Sequence, residues 1–235
     1  MRVISLYSGS SGNCTLIEAG ENTFLVDAGG SAKALATALE SIGSGIDRVS
    51  DIFITHEHSD HTHALSTLIK KHPCRVHITD PSVKAIIDIG GCNILAFPVP
   101  HDSRACVGYK FTYGDTSIGV VTDIGYVTQP VYDNLCGCQA VIIEANHDRE
   151  MVRCGSYPAV LKARILSGGG HLSNDDCAEI SGAWARQGTK KLMLAHLSEE
   201  NNTPTIALET VKKATDPYGV DVCAAKRDEP TVLIE

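Results

Sequence analysis

The sequence predicts an α/β fold in which β-sheets and helices are stacked in layers, formed by a single domain spanning residues 1–235. Short segments rich in β-branched and aromatic residues come first in consecutive pairs and later alternate with amphipathic helical segments. The chain of 235 residues is 43% apolar, enough to bury a sizeable core. No low-complexity stretch or Pro/Ser-rich linker divides it, so we expect one domain.

Strands are predicted where short runs of high β propensity lie between turn-forming residues. The segment Tyr113–Thr116, with the sequence Tyr-Gly-Asp-Thr, is typical of the turn of a β-hairpin. The predicted strands are residues 2–7, 14–18, 23–27, 51–55, 75–79, 94–98, 107–113, 117–122, 139–144, 191–196, 219–224 and 231–234.

Helices are predicted where apolar residues recur at helical spacing between capping and terminating residues. Ser31 is expected to cap the first helix and Gly43 to end it. Asp80-Pro81 is expected to open another helix that ends near Gly90-Gly91, because proline is favoured at the first helical position. The predicted helices are residues 32–42, 62–71, 80–90, 158–166, 175–187 and 204–215.

Composition and charge narrow the class of protein. No apolar run is long enough to cross a bilayer, and Met1–Tyr7 is too short for a signal peptide, so we expect a cytoplasmic protein. The nine cysteines form no regular framework, and Cys136-Gly137-Cys138 is only a weak candidate for a metal clip. The net charge of −8 argues against a broad phosphate-binding face, although two divalent cations would offset about half of it within a cleft.

A dense set of metal-binding side chains follows the buried segment Asp51–Ile54, in the sequence Thr-His-Glu-His-Ser-Asp-His. Residues two apart in an extended loop point the same way, so His56 and His58 can converge on one ion. Asp60 and His61 can then reach a second ion beside it. Imidazole and carboxylate ligands suit Zn²⁺, Mn²⁺ or Fe²⁺. The alternative is a polar surface loop that happens to be rich in histidine.

The pattern HxHxDH resembles the fingerprint of the metallo-β-lactamase superfamily, and further motifs of that family follow in order along nearly the whole chain. Phe24–Gly29 resembles the first motif, Pro98–Asp102 the third, Val121–Asp123 the fourth and Leu194–Ser198 the fifth. The resemblance implies a four-layer αββα sandwich. One departure is that Thr62-His63-Ala64 replaces the glycine-containing continuation often found after HxHxDH.

The resemblance also implies the roles of the ligands. His56, His58 and His101 would hold one metal ion, Asp60, His61 and His196 the other, and Asp123 would bridge the two. Asp27 would orient a ligand imidazole from behind. Taken alone, His101 could be a loop histidine, His196 a core residue at a strand end, and Asp123 a turn carboxylate. His63, His72 and His77 fall outside the motifs and are expected at the surface.

Within the superfamily the resemblance is strongest to the YycJ (WalJ/VicX-like) subgroup. It rests on Ser8–Asn13, on THEHSDH, on Gly168–Asn174 and on HLSEENN at 196–202. The segments Ile142–Asn146 and GGGHLSN also resemble paired motifs of RNase Z, in which a Glu orients a His that protonates the leaving oxygen. By that resemblance Glu144 would hold His171 as general acid. The alternative for His171 is a structural residue at a helix start.

The expected function is hydrolysis by two divalent cations that share a bridging hydroxide. The resemblance implies a phosphodiesterase, specifically a nuclease that acts as an exonuclease on DNA, with His171, Glu144 and Asp60 as catalytic residues. The alternatives are a thioester or lactone hydrolase of the glyoxalase II kind, a small cyclic phosphodiesterase, and a metal-dependent binding protein. The expected partner is nucleic acid rather than a membrane. The native metal and the oligomeric state stay open, a homodimer included.

The loop Ser8–Asn13 allows two interpretations. It could be a tight turn between the first two strands, or its backbone N–H groups could contact a substrate phosphate. His147, Asn201 and Asn202 are further candidates for the lining of the cleft.

Overall fold

The fold was analysed in a computed structural model that describes residues 1–80, 82 and 86–235. Its helices, in chain order, are α1 (Ala32–Ser41), α2 (Ser59–Thr62), α3 (Leu65–Lys71), α4 (Gln129–Leu135), α5 (Arg149–Cys154), α6 (Ala159–Ile165), α7 (Asn174–Arg186) and α8 (Pro204–Thr215). Its strands are β1 (Arg2–Tyr7), β2 (Cys14–Ala19), β3 (Asn22–Val26), β4 (Asp51–Ile54), β5 (Arg75–Ile78), β6 (Ile86–Ile89), β7 (Cys92–Pro98), β8 (Val107–Tyr113), β9 (Thr116–Val121), β10 (Ala140–Glu144), β11 (Lys191–Ala195), β12 (Asp221–Ala224) and β13 (Thr231–Ile234).

Within the described residues these strands form two mixed sheets. The first has the order β13-β1-β2-β3-β4-β5, and the second has the order β12-β11-β10-β9-β8-β7-β6. The first sheet is antiparallel from β13 to β3 and parallel from β3 to β5. The second is antiparallel from β6 to β9 and parallel from β9 to β12. Each sheet therefore has an antiparallel part and a parallel part.

The inner faces of the two sheets share one apolar core. Phe24 and Phe53 of the first sheet meet Phe111 of the second, with ring centroids 5.4–6.0 Å apart. Edge-to-face and offset contacts of this kind add to the free energy gained from burying the rings. The sheets therefore pack face to face.

Helices cover both outer faces. On the first sheet, Leu35 and Leu39 of α1 and Leu68 of α3 join the outer core cluster. On the second sheet, α4, α7 and α8 pack their buried apolar residues, with the side chain of Trp184 fully buried among them. The order of layers is helix, sheet, sheet, helix, so the predicted αββα sandwich is confirmed.

The segment predicted as a helix over residues 80–90 is partly a strand. Residues 81 and 83–85 lie outside the described residues, but Ile86–Ile89 forms β6 and pairs with β7 in a hairpin. Gly90 and Gly91, with φ of 58° and 80°, form the two-residue turn of that hairpin. A turn with two positive φ values favours a Gly-Gly pair, so this prediction from Pro81 was wrong for residues 86–89.

Other element boundaries differ from the predictions in small ways. The helix predicted at 62–71 is divided into α2 and α3, and α4 and α5 were not predicted. Ser31 caps α1 as predicted, accepting a hydrogen bond from the N–H of Ala34 at 3.1 Å. None of the helices in the described residues is long and apolar enough to cross a membrane.

Candidate metal centre

The site lies at one edge of the sandwich, where strands of both sheets end. β3 and β4 lead into Asp27 and Thr55–His61, and β9 and β11 lead into Asp123 and His196. Because the carboxyl ends of neighbouring parallel strands meet at the same edge of a sheet, side chains distant in sequence come together there.

The first group of candidate ligands is His56, His58 and His101. The Nε2 atom of His56 lies 2.9 Å from Nδ1 of His58, and the ring of His101 is 5.2 Å from that of His56 and 5.3 Å from that of His58. Their nearest ring nitrogens all lie within 4.8 Å of one another. His101 is oriented by a contact of 3.1 Å between its Nδ1 and the carbonyl oxygen of Gly170, which leaves Nε2 for the site.

The second group is Asp60, His61 and His196. Oδ2 of Asp60 lies 3.3 Å from Nε2 of His61 and 3.6 Å from Nε2 of His196. These three atoms also lie within 4.8 Å of one another. The structure therefore brings together the two sets of three residues that the sequence motifs predicted.

Asp123 lies between the two groups. Its Oδ2 is 3.0 Å from Nε2 of His61, and its Oδ1 is 3.8 Å from Nε2 of His101. The carboxylate is 2% exposed. This position between the groups is the one that a shared ligand requires.

Two buried carboxylates orient the ligand imidazoles from behind. Asp27 accepts a hydrogen bond of 2.7 Å from Nδ1 of His61 and is itself fixed by the N–H of Thr55 at 2.8 Å. Glu144 accepts a hydrogen bond of 2.7 Å from Nδ1 of His196. In both cases Nδ1 donates to the carboxylate, so Nε2 carries the lone pair that a metal ligand needs.

Glu144 also contacts His171. Its Oε1 accepts a hydrogen bond of 2.8 Å from Nδ1 of His171, and its Oε2 accepts from the N–H groups of Ile124 and Leu172. The ring of His171 is 5.2 Å from that of His196, and its side chain is 22% exposed, whereas Glu144 is fully buried. The predicted pair of Glu144 and His171 is thus in contact at the site.

The electrostatics of the site follow from its buried carboxylates. Burial lowers the pKa of His196, but the carboxylates of Asp123, Asp60 and Glu144 outweigh that effect and raise it to about 10. The pKa of His61 is also raised, against the effect of burial, by Asp123 and Asp27. Burial and the neighbouring His61 lower the pKa of His56 to about 4. This concentration of negative charge favours cations.

The residues present fit a site for divalent metal ions. Among the described residues six buried side-chain polar atoms have no hydrogen-bonding partner, and three of the six are His101 Nε2, His196 Nε2 and Asp123 Oδ2. Native proteins rarely leave such atoms unpaired, because the cost is about 1–3 kcal/mol each. All three belong to the candidate ligands, and imidazole with carboxylate is a donor set that Zn²⁺, Mn²⁺ and Fe²⁺ accept.

Backbone strain is concentrated at the same edge. Among the described residues, the non-glycine residues with positive φ are Asp27, Asp123 and His196, at 65°, 53° and 53°. Each follows a strand by one or two residues. A left-handed conformation at a residue with a side chain costs about 1 kcal/mol or more and is typical of functional sites.

The Ser8–Asn13 loop contacts the candidate ligands more closely than its sequence predicted. The hydroxyl of Ser8 accepts a hydrogen bond of 2.8 Å from the N–H of His196. Nδ2 of Asn13 lies 3.3 Å from Oδ2 of Asp60 and 3.1 Å from Nε2 of His61. The density of Gly, Ser and Asn in the loop was the available signal, but it could not show which ligands the loop would meet.

Several candidates have structural roles instead. His77 is half-buried, stacks on Phe53 at 4.5 Å and contacts Asp51, so its prediction as a surface residue was wrong. His147 is 1% exposed and therefore buried. Asn202 hydrogen-bonds to the carbonyl oxygens of Ala145 and Asn146, and it also lines an open cavity together with Ser8 and Ser198.

The cysteines take no part in the candidate ligand groups of the described residues, so nothing supports the Cys136–Cys138 clip. All nine are free thiols, and only Cys154 is exposed.

The four-layer sandwich and the histidine and aspartate cluster at its edge define a metal-dependent hydrolase. Residues 7–147 match the family model described as the metallo-beta-lactamase superfamily, and the chain belongs to that superfamily.

Relatives with high sequence similarity cover most of the chain. The exodeoxyribonuclease WalJ of Streptococcus pneumoniae is 38% identical over an alignment of 228 positions that covers 88% of this chain and 85% of WalJ. The exodeoxyribonuclease YycJ of Bacillus anthracis is 33% identical over an alignment of 237 positions that covers 92% of this chain and 90% of YycJ. The resemblance to the YycJ subgroup is thereby confirmed.

Solved structures share the fold at low identity. The metallo-beta-lactamase fold protein YhfI of Bacillus subtilis has a TM-score of 0.75 at 16% identity and covers 98% of both chains. The short form of human tRNase Z has a TM-score of 0.64 at 15% identity and covers both chains fully.

Proposed function

We propose that this chain is a metal-dependent exodeoxyribonuclease that hydrolyses phosphodiester bonds at the ends of DNA. The observation that carries the proposal is the pair formed by His171 and Glu144 beside the two ligand groups. An imidazole that is held by a buried carboxylate and is partly exposed suits protonation of an alkoxide leaving group. The relatives named exodeoxyribonuclease support the choice of DNA as substrate.

In this proposal His56, His58 and His101 hold one cation, Asp60, His61 and His196 hold a second, and Asp123 is shared. When bound, two divalent cations supply a water of lowered pKa and neutralise charge on the phosphate. Zn²⁺ or Mn²⁺, with Fe²⁺ as a third candidate, match the ligands. Asp27 and Glu144 keep the Nε2 atoms of His61 and His196 directed at the site.

The role of His171 follows from its contacts. Its Nδ1 is occupied by Glu144, and among the described residues no other group hydrogen-bonds to the ring. When the ring is protonated on both nitrogens, the proton on Nε2 is therefore free to go to the departing oxygen. Burial lowers the pKa of His171, but Glu144 outweighs burial and raises it, which favours the protonated ring.

Domain organisation and cellular location complete the proposal. We propose that residues 1–235 act as one domain in the cytoplasm. Nine cysteines without a disulfide suit a reducing compartment.

The function is tested by assaying Mn²⁺- and Zn²⁺-loaded protein against three substrates. These are end-labelled single- and double-stranded DNA, bis-p-nitrophenyl phosphate and S-lactoylglutathione, with chelator-treated protein as control. We expect DNA to be shortened from an end and the small diester to be hydrolysed. Rising salt should suppress DNA cleavage far more than diester cleavage, because counterion release drives only DNA binding. Thioester turnover without diester turnover would overturn the proposal.

The metal assignment is tested by counting the ions bound to purified variants. Asp123→Ala should lose or displace both ions because it removes the shared ligand, whereas His56→Ala should chiefly empty the first site. His63→Ala is the matched control, since His63 is exposed and outside both groups. Two full equivalents bound to Asp123→Ala would contradict the shared role.

A further inference from the structure

A cavity is lined in part by the chain segments that follow Asp123 and precede His171. It has a volume of about 650 Å³ and is open to solvent. That volume lies within the range of small-molecule sites, about 300–1,000 Å³. Gly125, two residues after Asp123, and Gly168, three residues before His171, both line it, so one rim of the cavity is continuous with the catalytic segments.

The two glycines bring these segments into contact. A Cβ on Gly125 would collide with the carbonyl oxygen of Gly168, so only glycine permits this approach. The ring of Tyr126 lies over Gly168, where an added Cβ would be 3.4 Å from the ring. The close approach therefore fixes Tyr126 at the rim formed by Gly125 and Gly168.

Tyr126 is an aromatic side chain left exposed at that rim. It is 53% exposed, and among the described residues its hydroxyl makes no hydrogen bond. Tyr132, Leu166 and Ile180 extend the wall with further aromatic and aliphatic surface. An exposed ring beside an apolar wall can hold a flat, aromatic ligand by stacking.

The charges of the cavity select against a phosphate. Asp176 and Glu179 line it together with one cation, Arg149. That cation is already engaged, because its Nη2 donates to both carboxylate oxygens of Asp176 at 2.6 and 2.7 Å, and its Nη1 is 3.6 Å from Asp175. Arg149 and Asp176 therefore offset each other, and among the described residues Glu179 is the charged group of the wall that has no ion-pair partner. Its carboxylate can accept a hydrogen bond from the amino group of a nucleobase.

We propose that this cavity is a nucleobase subsite, in which one base of a single-stranded DNA end stacks on Tyr126 while the adjoining phosphodiester lies at the metal centre. The inference rests on the proposed function and names the substrate form, a frayed or single-stranded end. A paired terminal base could not enter the cavity, because its Watson–Crick edge is held by the opposite strand and its inner face is stacked on the next base pair.

The subsite is tested with Tyr126→Ala, Tyr126→Phe and the control Tyr218→Ala, which removes a partly exposed tyrosine from outside the cavity. The substrates are a single-stranded oligonucleotide, the same strand with an abasic residue at or beside the terminal position, and bis-p-nitrophenyl phosphate. Binding is followed in parallel by the fluorescence of 2-aminopurine placed at those positions.

Tyr126→Ala should raise KM for the oligonucleotide by about 5- to 150-fold, the range found for one stacked base. Its effect on the small diester should be at least tenfold smaller. Tyr126→Phe should retain the affinity of the unaltered chain because it keeps the ring, and Tyr218→Ala should change nothing. On the abasic strand, the unaltered chain and Tyr126→Ala should have similar KM values.

Two results would overturn the subsite. One is equal KM for Tyr126→Ala and the unaltered chain on the complete strand, with unchanged 2-aminopurine fluorescence. The other is an undiminished effect of Tyr126→Ala on the abasic strand. Failure of the proposed function has a different signature, because the unaltered chain would then cleave neither strand, and the subsite would fall with it.

Discussion

Glu144 serves both metal binding and proposed acid catalysis, because its one carboxylate orients a candidate metal ligand and the proposed general acid. Its Oε1 accepts from His171 and from His196, while its Oε2 is held by two backbone N–H groups. From sequence, Glu144 was predicted only as the partner of His171. The contact with His196 arises because β10 and β11 are adjacent parallel strands. A sequence motif does not show which strands are neighbours in the sheet.

Glu144→Gln should therefore weaken metal binding as well as activity. The substitution removes the negative charge that orients two imidazoles, and loss of such a partner typically costs about 10–100-fold in metal affinity or activity. Titration of metal-free protein with Mn²⁺ or Zn²⁺ measures the affinity. Glu150→Gln, an exposed glutamate on α5, is the control. If Glu144→Gln reduced turnover without changing metal affinity, Glu144 would act only by orienting His171 and would have no role in metal binding.

His171→Ala should separate substrates by the quality of the leaving group. A sugar alkoxide needs a proton to depart, whereas p-nitrophenolate does not, so the substitution should cost roughly 10²–10⁴-fold only on the natural diester. Steady-state rates on DNA and on bis-p-nitrophenyl phosphate give the comparison, with metal content measured alongside. Loss of a metal ion would place His171 among the ligands. An equal loss on both substrates would indicate a phosphate clamp instead of an acid.

At the scale of elements, the predictions were correct where residues close in sequence determine the structure. They were wrong where hydrogen bonding to another strand determines it. The N-cap Ser31 and the hairpin turn at 113–116 were correct because both depend on neighbouring residues. Residues 86–89 were assigned to a helix, although pairing with β7 makes them a strand. The ligands were predicted from motifs at strand ends, but the positive φ of Asp123 and His196 had no signal in the sequence.

Strand β4 is fixed at its start by a buried carboxylate. Asp51 is fully buried and accepts hydrogen bonds from Arg75 at 2.8 and 2.9 Å and from His77 at 2.7 Å, both on β5. Burial alone would raise the pKa of Asp51, but these hydrogen bonds outweigh it and hold the pKa below its ordinary value of 3.8. Because the folded state lowers the pKa, this stabilisation is present above about pH 4 and is lost as the pH falls below it.

Asp51→Asn should lower the free energy of unfolding by about 1–3 kcal/mol at pH 7, the usual range for hydrogen bonds to a charged group. The difference from the unaltered chain should shrink below about pH 4, where the aspartate takes up a proton. Urea unfolding at several pH values, at fixed metal concentration, measures both. Asp47→Asn is the control, since Asp47 is 90% exposed and should change stability by less than about 0.5 kcal/mol. A difference that is constant with pH would contradict this account.

At the scale of the whole molecule, the candidate ligands come from both sheets. His56, His58, Asp60 and His61 follow β4 of the first sheet, whereas His101, Asp123 and His196 follow β7, β9 and β11 of the second. Each ligand group contains residues from both sides. Bound cations would therefore join the two halves of the sandwich at the edge where the buried polar atoms are unpaired.

Removal of metal by a chelator should lower the melting temperature of the protein. A ligand at 100 times its dissociation constant stabilises the folded state by about 2.7 kcal/mol, and each kcal/mol corresponds to about 2–4 °C for a chain of this size. We therefore expect a fall of about 5–11 °C in thermal unfolding, reversed by added Mn²⁺ or Zn²⁺ and growing with their concentration. His63→Ala should keep the full shift, while Asp123→Ala should lose most of it, because only the second substitution removes a ligand common to both groups. A melting temperature that is independent of metal in the unaltered chain would show that the cations do not connect the sheets.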